Sequence, residues 1–148
     1  MALSEFNDEY FMKQALKEAQ IAFEEGEVPI GAVVVCENKI ISRAHNLTER
    51  LKDVTAHAEI LAYTSATEFL GSKYLKKCTL YVTLEPCGMC ASACAWSQVS
   101  KIFYGTSDPK KGFSHLGSNM LHPKTKIKGG LLEEECSAIL KQFFEARR

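Results

Sequence analysis

An α/β fold with one antiparallel and one parallel pair of strands is predicted by three observations. Ile30 to Cys36 and Ile40 to about His45 are strand-like runs separated only by Glu37-Asn38-Lys39, so they form a hairpin of antiparallel strands. Thr79 to Leu84 and Lys101 to Tyr104 also read as strands, and the stretch between them has the length of a helix, which makes the pair a parallel crossover unit. Apolar residues at helical spacing occupy the segments around these two units.

The elements follow in order. A first helix runs from Asn7 or Asp8 to about Glu25, with Met12, Leu16, Ala19 and Phe23 on the face that covers the sheet and Gly26 as its stop. Gly26-Glu27-Val28-Pro29 turns the chain into the hairpin, whose first strand is apolar and β-branched enough to be buried. His45 to Thr55 is polar and irregular and leads directly into His57. Ile60, Leu61 and Thr64 with the intervening alanines predict a helix from about Ala56 to Phe69 or Leu70, ended by Gly71. A lysine-rich loop, Ser72 to Lys77, precedes the crossover unit, in which Cys87 to about Trp96 is the helix and Gly105 ends the second strand. Residues 106–130 are rich in Gly, Pro, Lys and Ser, and only Lys126 to Ile127 hints at extended structure; so long a loop in a compact domain points to function or mobility. The last helix, Leu132 to Arg147, sets Leu132, Cys136, Ile139 and Phe143 on one face, while Glu133, Glu134 and Glu135 suit its positive start. No repeat, linker or low-complexity stretch divides the chain, so residues 1–148 are expected to form a single domain.

With 148 residues, 46% of them hydrophobic and 24% charged, the chain has the composition of a soluble globular protein. No apolar run approaches the ~20 residues of a membrane span, and the acidic start, with Glu5, Asp8 and Glu9, has no signal-peptide character. Six cysteines without a secretory signal argue for reduced thiols and a cytoplasmic location. Cys36, Cys78, Cys94 and Cys136 are read as small core residues. The formal net charge of zero conceals an asymmetry: residues 1–72 hold 6 Lys and Arg against 12 Asp and Glu, and residues 73–148 hold 12 against 6. A one-sided basic surface attracts a phosphate backbone; the alternative is a set of solvated loop lysines.

Two short stretches carry the chemistry: His57-Ala58-Glu59 and Pro86-Cys87-Gly88-Met89-Cys90. One imidazole and two thiols are the residue types that bind zinc in catalytic sites with three protein ligands, where the fourth position is left to water. Pro86 suits the first position of a helix, which places Cys87 and Cys90 in the first turn on one face, and the positive helix end favours their thiolate forms. In a helix His57 and Glu59 would diverge by about 200°, which fits a ligand and a separate proton carrier. A redox pair or half of a structural zinc site would also use C-x-x-C. A closed structural site needs a fourth ligand, for which Cys94, one turn beyond Cys90, is the best candidate.

H-x-E followed by P-C-x-x-C is the signature of the zinc-dependent base deaminases. Nearly the whole chain resembles the bacterial tRNA-specific adenosine deaminases of the cytidine deaminase-like superfamily. The resemblance rests on Gly26-Glu27-Val28-Pro29-Ile30-Gly31-Ala32, Ala44-His45-Asn46, Thr55-Ala56-His57-Ala58-Glu59, Leu80 to Cys87 with Met89-Cys90, and Phe143-Phe144. It implies a three-layer α/β/α fold around a mixed five-stranded sheet, a homodimer, and hydrolysis of the wobble adenosine in a tRNA anticodon stem-loop to inosine. One zinc ion per subunit would be held by His57, Cys87 and Cys90, with Glu59 moving the proton. Asn46 would hydrogen-bond the flipped base, Val28 and Pro29 would wall its pocket, Asp108 would lie near the flanking ribose, and Phe144 beside the RNA. Each has a plainer reading: a cap for Asn46, turn chemistry for Val28 and Pro29, core packing for Phe144. Ala91-Ser92-Ala93-Cys94, where a glycine commonly follows the first alanine, and Phe113 to Lys128 depart from the family pattern. A deaminase acting on a free base or nucleoside (guanine, cytosine or cytidine) is the alternative, and a zinc-stabilised RNA-binding subunit without catalysis is a third.

Overall fold

A computed structural model describes residues 6–117 and 119–147. Among these, five strands form one sheet between two pairs of helices. The first helix, α1 (Asp8–Glu24), starts where Asn7 Oδ1 accepts the Tyr10 amide, and it buries Phe11, Met12, Ala15, Ala19 and Ala22. β1 (Gly31–Cys36) and β2 (Lys39–His45) form the hairpin, and its two turn residues, Glu37 and Asn38, both take positive φ, which suits the twist of the strands they join. Next come α2 (Ala58–Leu70), β3 (Cys78–Leu84), α3 (Gly88–Ser97) and β4 (Lys101–Thr106). A one-turn 3-10 helix (Phe113–His115) and a short β5 (Lys126–Lys128) interrupt the long loop before α4 (Glu133–Glu145).

The strand order is β2-β1-β3-β4-β5, antiparallel across β1–β2 and β1–β3 and parallel across β3–β4 and β4–β5. Successive strand residues face opposite sides. Ala32, Val34, Leu80, Val82 and Ile102 therefore meet α2 and α3 through Ala58, Ala62, Tyr63, Ala66 and Cys94. Val33, Val35, Tyr81 and Phe103 meet α1 and α4 through Phe11, Met12, Ala15 and Cys136. The resulting α/β/α sandwich puts the C-terminal ends of β3 and β4 beside the starts of α2 and α3.

Several boundaries differ from the sequence reading, each for a local reason. α3 begins at Gly88, so Cys87 is its N-cap and Pro86 lies outside the helix; a bridge between Cys87 and Gly112, with the Phe113 amide on the Pro86 carbonyl at 2.9 Å, keeps that backbone extended. α2 begins at Ala58, which leaves His57 as an N-cap rather than a helical residue. β4 continues through Gly105 to Thr106, paired with Leu84. Gly105 is an interior strand residue because α4 packs against it: a Cβ there would lie 2.3 Å from Cys136 Sγ. Cys78, Cys94 and Cys136 are fully buried and Cys36 half-buried. No helix among the described residues is long and apolar enough to cross a membrane.

Candidate active site

His57 sits at the end of the loop from β2, with extended backbone (φ −76°, ψ 153°) and no capping bond from its own side chain. Asn46 does the capping instead: its Oδ1 accepts the Ala58 amide at 2.8 Å. The imidazole is thereby free to turn toward the start of α3, and its Nδ1 lies 3.7 Å from Cys87 Sγ and 3.5 Å from Cys90 Sγ. The three ligand atoms all fall within 4.8 Å of one another, close enough to hold one metal ion. They are the only such group among the described residues, and Cys94 is not part of it; that thiol lies a turn deeper, next to Tyr63. An imidazole nitrogen with two sulfurs is a donor set suited to zinc, and three ligands leave a fourth position for chemistry.

Two helix starts converge here, and their positive ends favour anionic groups. The two thiols compete for one negative charge. A hydrogen bond from Cys90 draws Cys87 down to about 4, while the same contact, with burial, drives Cys90 far up. The hydrogen bond with Cys87 raises His57. Glu59 lies in the first turn of α2 and is 4% exposed, and burial raises its carboxyl to about 7. A buried acid poised near neutrality, beside two thiols and an imidazole, can both take and return a proton.

The other residues singled out in the sequence fall in different places. Pro29 is buried and Val28 half-buried in the turn before β1, where the Asn46 amide bonds the Ile30 carbonyl at 3.2 Å and so ties that turn to Asn46. Asp108 is half-buried; its Oδ1 accepts the Lys110 and Lys111 amides, each at 3.0 Å. Phe144 is 48% exposed and meets Phe143 edge-on. Phe143 is the buried member of the pair, against Phe23 and under the Arg147 guanidinium, so Phe144 is not core. Trp96, at 83% exposure, is not core either.

Two further residues escaped the sequence reading as individuals. Glu27, 1% exposed, accepts the Glu49 amide at 3.1 Å and the Arg50 amide at 2.9 Å. Glu85, 2% exposed, accepts the Asp108 amide at 3.0 Å and the Ser114 amide at 3.1 Å. Each is an acid between apolar residues or turn formers, Gly26 and Val28 in one case and Leu84 and Pro86 in the other. That anomaly was the available signal. Two open grooves, of about 200 and about 520 Å³, lie elsewhere, along β4–β5 and between α1 and β2, and neither is lined by these residues.

Comparison with known proteins agrees with this arrangement. The family model of the MafB19-like deaminases matches residues 6–148. The tRNA-specific adenosine deaminase of Bacillus subtilis is 48% identical over 146 residues, covering 95% of this chain and 91% of that protein. The tRNA-specific adenosine deaminase of Aquifex aeolicus is 48% identical over 145 residues, covering 95% of each. A structure solved in studies of A-to-I editing by tRNA:A34 deaminases superposes with a TM-score of 0.83 at 43% identity, over 88% of this chain and 99% of that one. The chain belongs to the family of tRNA-specific adenosine deaminases.

Proposed function

We propose that this protein is a zinc-dependent hydrolase that converts the wobble adenosine of a tRNA anticodon stem-loop to inosine, working as a single deaminase domain. The observation that carries the reading is a three-atom His57, Cys87 and Cys90 cluster with the buried carboxyl of Glu59 two residues from the imidazole. The identity to the relatives above supports the choice of substrate.

His57 Nδ1 and the Cys87 and Cys90 sulfurs would hold one zinc ion per subunit. When bound, zinc supplies the Lewis acidity that brings proton loss from water into the neutral range. Glu59 then takes the proton from the attacking water, delivers it to the ring nitrogen, and passes the second proton to the departing amine, so that adenosine and water become inosine and ammonia. With Oδ1 of Asn46 committed to the Ala58 amide, its side-chain NH2 is the group left to meet the flipped base. Val28 and Pro29 wall that base, Asp108 meets the flanking ribose, and Phe144, exposed near a basic terminus, meets the RNA. A homodimer is the expected assembly, and the exposed Trp96 on α3 is a candidate for its contact. A cytoplasmic location fits a tRNA substrate and six free thiols.

The test is ammonia release from an anticodon stem-loop compared with free adenosine, guanine and cytosine. Glu59→Ala should retain one zinc per chain and lose on the order of 10²–10⁴-fold in kcat. Turnover of a free base with none on RNA would overturn the substrate, and unchanged turnover in Glu59→Ala would overturn the mechanism.

A further inference from the structure

The long loop after β4 crosses the segment that carries Cys87, and one side chain fastens the crossing. At the end of β3 the Glu85 amide donates to the Thr106 carbonyl at 2.9 Å, extending the β3–β4 pairing by one residue. The Glu85 side chain then turns under the loop. Oε1 accepts the Asp108 amide and Oε2 the Ser114 amide, so the two oxygens grip opposite ends of one excursion of the chain. Between the grips the backbone passes so close that a Cβ on Gly112 would lie 2.4 Å from Glu85 Oε1, and Gly112 bridges to Cys87. The Phe113 amide on the Pro86 carbonyl completes the seam.

The chemistry of this grip is unusual. No Lys, Arg or His among the described residues lies within ion-pair distance of Glu85, so the buried carboxyl oxygens are met by backbone amides alone. A buried carboxylate without a cation is costly unless its hydrogen bonds are complete. A neutral amide of the same shape has only one acceptor oxygen and could not satisfy both N–H groups. The gripped loop carries Asp108, Lys110 and Lys111, and its Gly112 bridges to the backbone of Cys87. It therefore borders the candidate site, yet supplies none of the His57, Cys87 and Cys90 cluster.

We propose that Glu85 is a positioning residue for the rim of the site: by gripping Asp108 and Ser114 it sets the loop against the Cys87 turn, and so governs the binding of a polynucleotide rather than the chemical step. The inference rests on the stem-loop reading above and adds to it the residue that holds the nucleic-acid-facing loop in place.

Three measurements on the zinc-loaded protein test it together. In Glu85→Gln one acceptor becomes a donor facing a donor, and KM for an anticodon stem-loop should rise about 10-fold, the factor that corresponds to roughly 1.4 kcal/mol for one spoiled buried hydrogen bond, with kcat within about threefold and zinc content unchanged. Amide exchange at Asp108 and Ser114 should accelerate in the same variant without any substrate present. Glu85→Asp keeps both acceptors but stops short by one methylene, and should fall between wild type and Glu85→Gln in both readouts. Gly112→Ala, which crowds the grip while leaving Glu85 intact, should raise KM similarly and combine less than additively with Glu85→Gln. If Glu85→Gln fails to fold, Gly112→Ala alone decides: a raised KM supports the assignment, and an unchanged one overturns it. A fall in kcat at constant KM, loss of zinc, or unaltered exchange at both amides would also overturn it. Wild-type protein inert toward stem-loops would overturn the substrate reading and this inference together, whereas active wild type with unchanged KM in the variants overturns this inference alone.

Discussion

Two loops frame the candidate site, each fastened by a buried glutamate, and they are built to different plans. The loop between β2 and α2 is closed on itself: the Leu47 amide bonds the Ala56 carbonyl at 3.0 Å, Asp53 bonds Thr55, and Glu27 caps the turn at residues 49 and 50 from outside. Its two ends are Asn46, which caps α2, and His57, a member of the candidate metal cluster. The loop after β4 is tied back to its own strand, the Gly130 amide on the Gly105 carbonyl at 3.0 Å, but between those ends its described residues are held by a neighbouring segment: Glu85 grips Asp108 and Ser114, and Gly112 and Phe113 bond the backbone of Cys87 and Pro86. The contrast separates machinery from rim. The loop that ends in His57 is bonded mostly within itself, whereas the loop that borders the site without joining the cluster is held mostly by the segment before Cys87.

The comparison can be broken most easily at Glu27. Truncating it to alanine leaves the Glu49 and Arg50 amides without their acceptor and should lower stability by about 2–3 kcal/mol in urea unfolding. Because His57 and Asn46 end that loop, kcat should fall as well; a change in KM alone would erase the distinction between the two loops. A smaller effect is expected at Asn46. Asn46→Ala loses the cap of α2, worth about 1 kcal/mol, whereas Asn46→Asp keeps the capping oxygen and should hold its melting temperature while losing the amide donor and turnover. Equal melting temperatures for the two variants would deny Asn46 its capping role.

If the cluster holds zinc as proposed, removing the metal with a chelator should sharpen the contrast further. Amide exchange should rise around Ala58 and Cys90, whose helices begin at the ligands, and much less at Asp108 and Ser114, whose acceptor is Glu85 rather than anything in the cluster. The smallest effect belongs to Asp53, whose carboxyl is fully exposed and held below the usual value of 3.8 by hydrogen bonds from the Thr55 hydroxyl and amide. A lowered carboxyl contributes stability above its unfolded value that is lost as pH falls through its folded value. Wild type should therefore lose slightly more stability than Asp53→Asn on acidification below about pH 4, and identical acid titrations of unfolding would remove Asp53 from the account.

The β1–β2 hairpin, the parallel β3–β4 crossover and the four helices were legible because each element repeats its apolar residues at its own period, whereas the antiparallel pairing of β1 with β3 joins segments more than forty residues apart and had no local signal. The His57, Cys87 and Cys90 cluster was legible because its three residues, one imidazole and two thiols, stood in two compact motifs. What stayed hidden were features decided by distant chain segments. Nothing local says that Pro86 stays outside α3, since the partner that holds it extended is the backbone of residues 112 and 113. Gly105 read as a stop because glycine usually is one; only the approach of Cys136, thirty-one positions later, shows that it admits a neighbouring helix instead. Glu27 and Glu85 went unread as individuals because their acceptor duties are toward backbone more than twenty residues away. The capping bond of Asn46, twelve residues along the chain, was foreseen only as an alternative to a pocket contact, and Oδ1 and the side-chain NH2 allow both.

One of the two edge strands, β5, has a consequence for solution behaviour. It is only three residues long, all exposed, and lysines bracket its single isoleucine. A second molecule trying to extend the sheet there would meet two like charges and almost no ladder to zip onto. Self-association by strand addition is discouraged at that border, in contrast to the opposite edge, where β2 runs for seven residues.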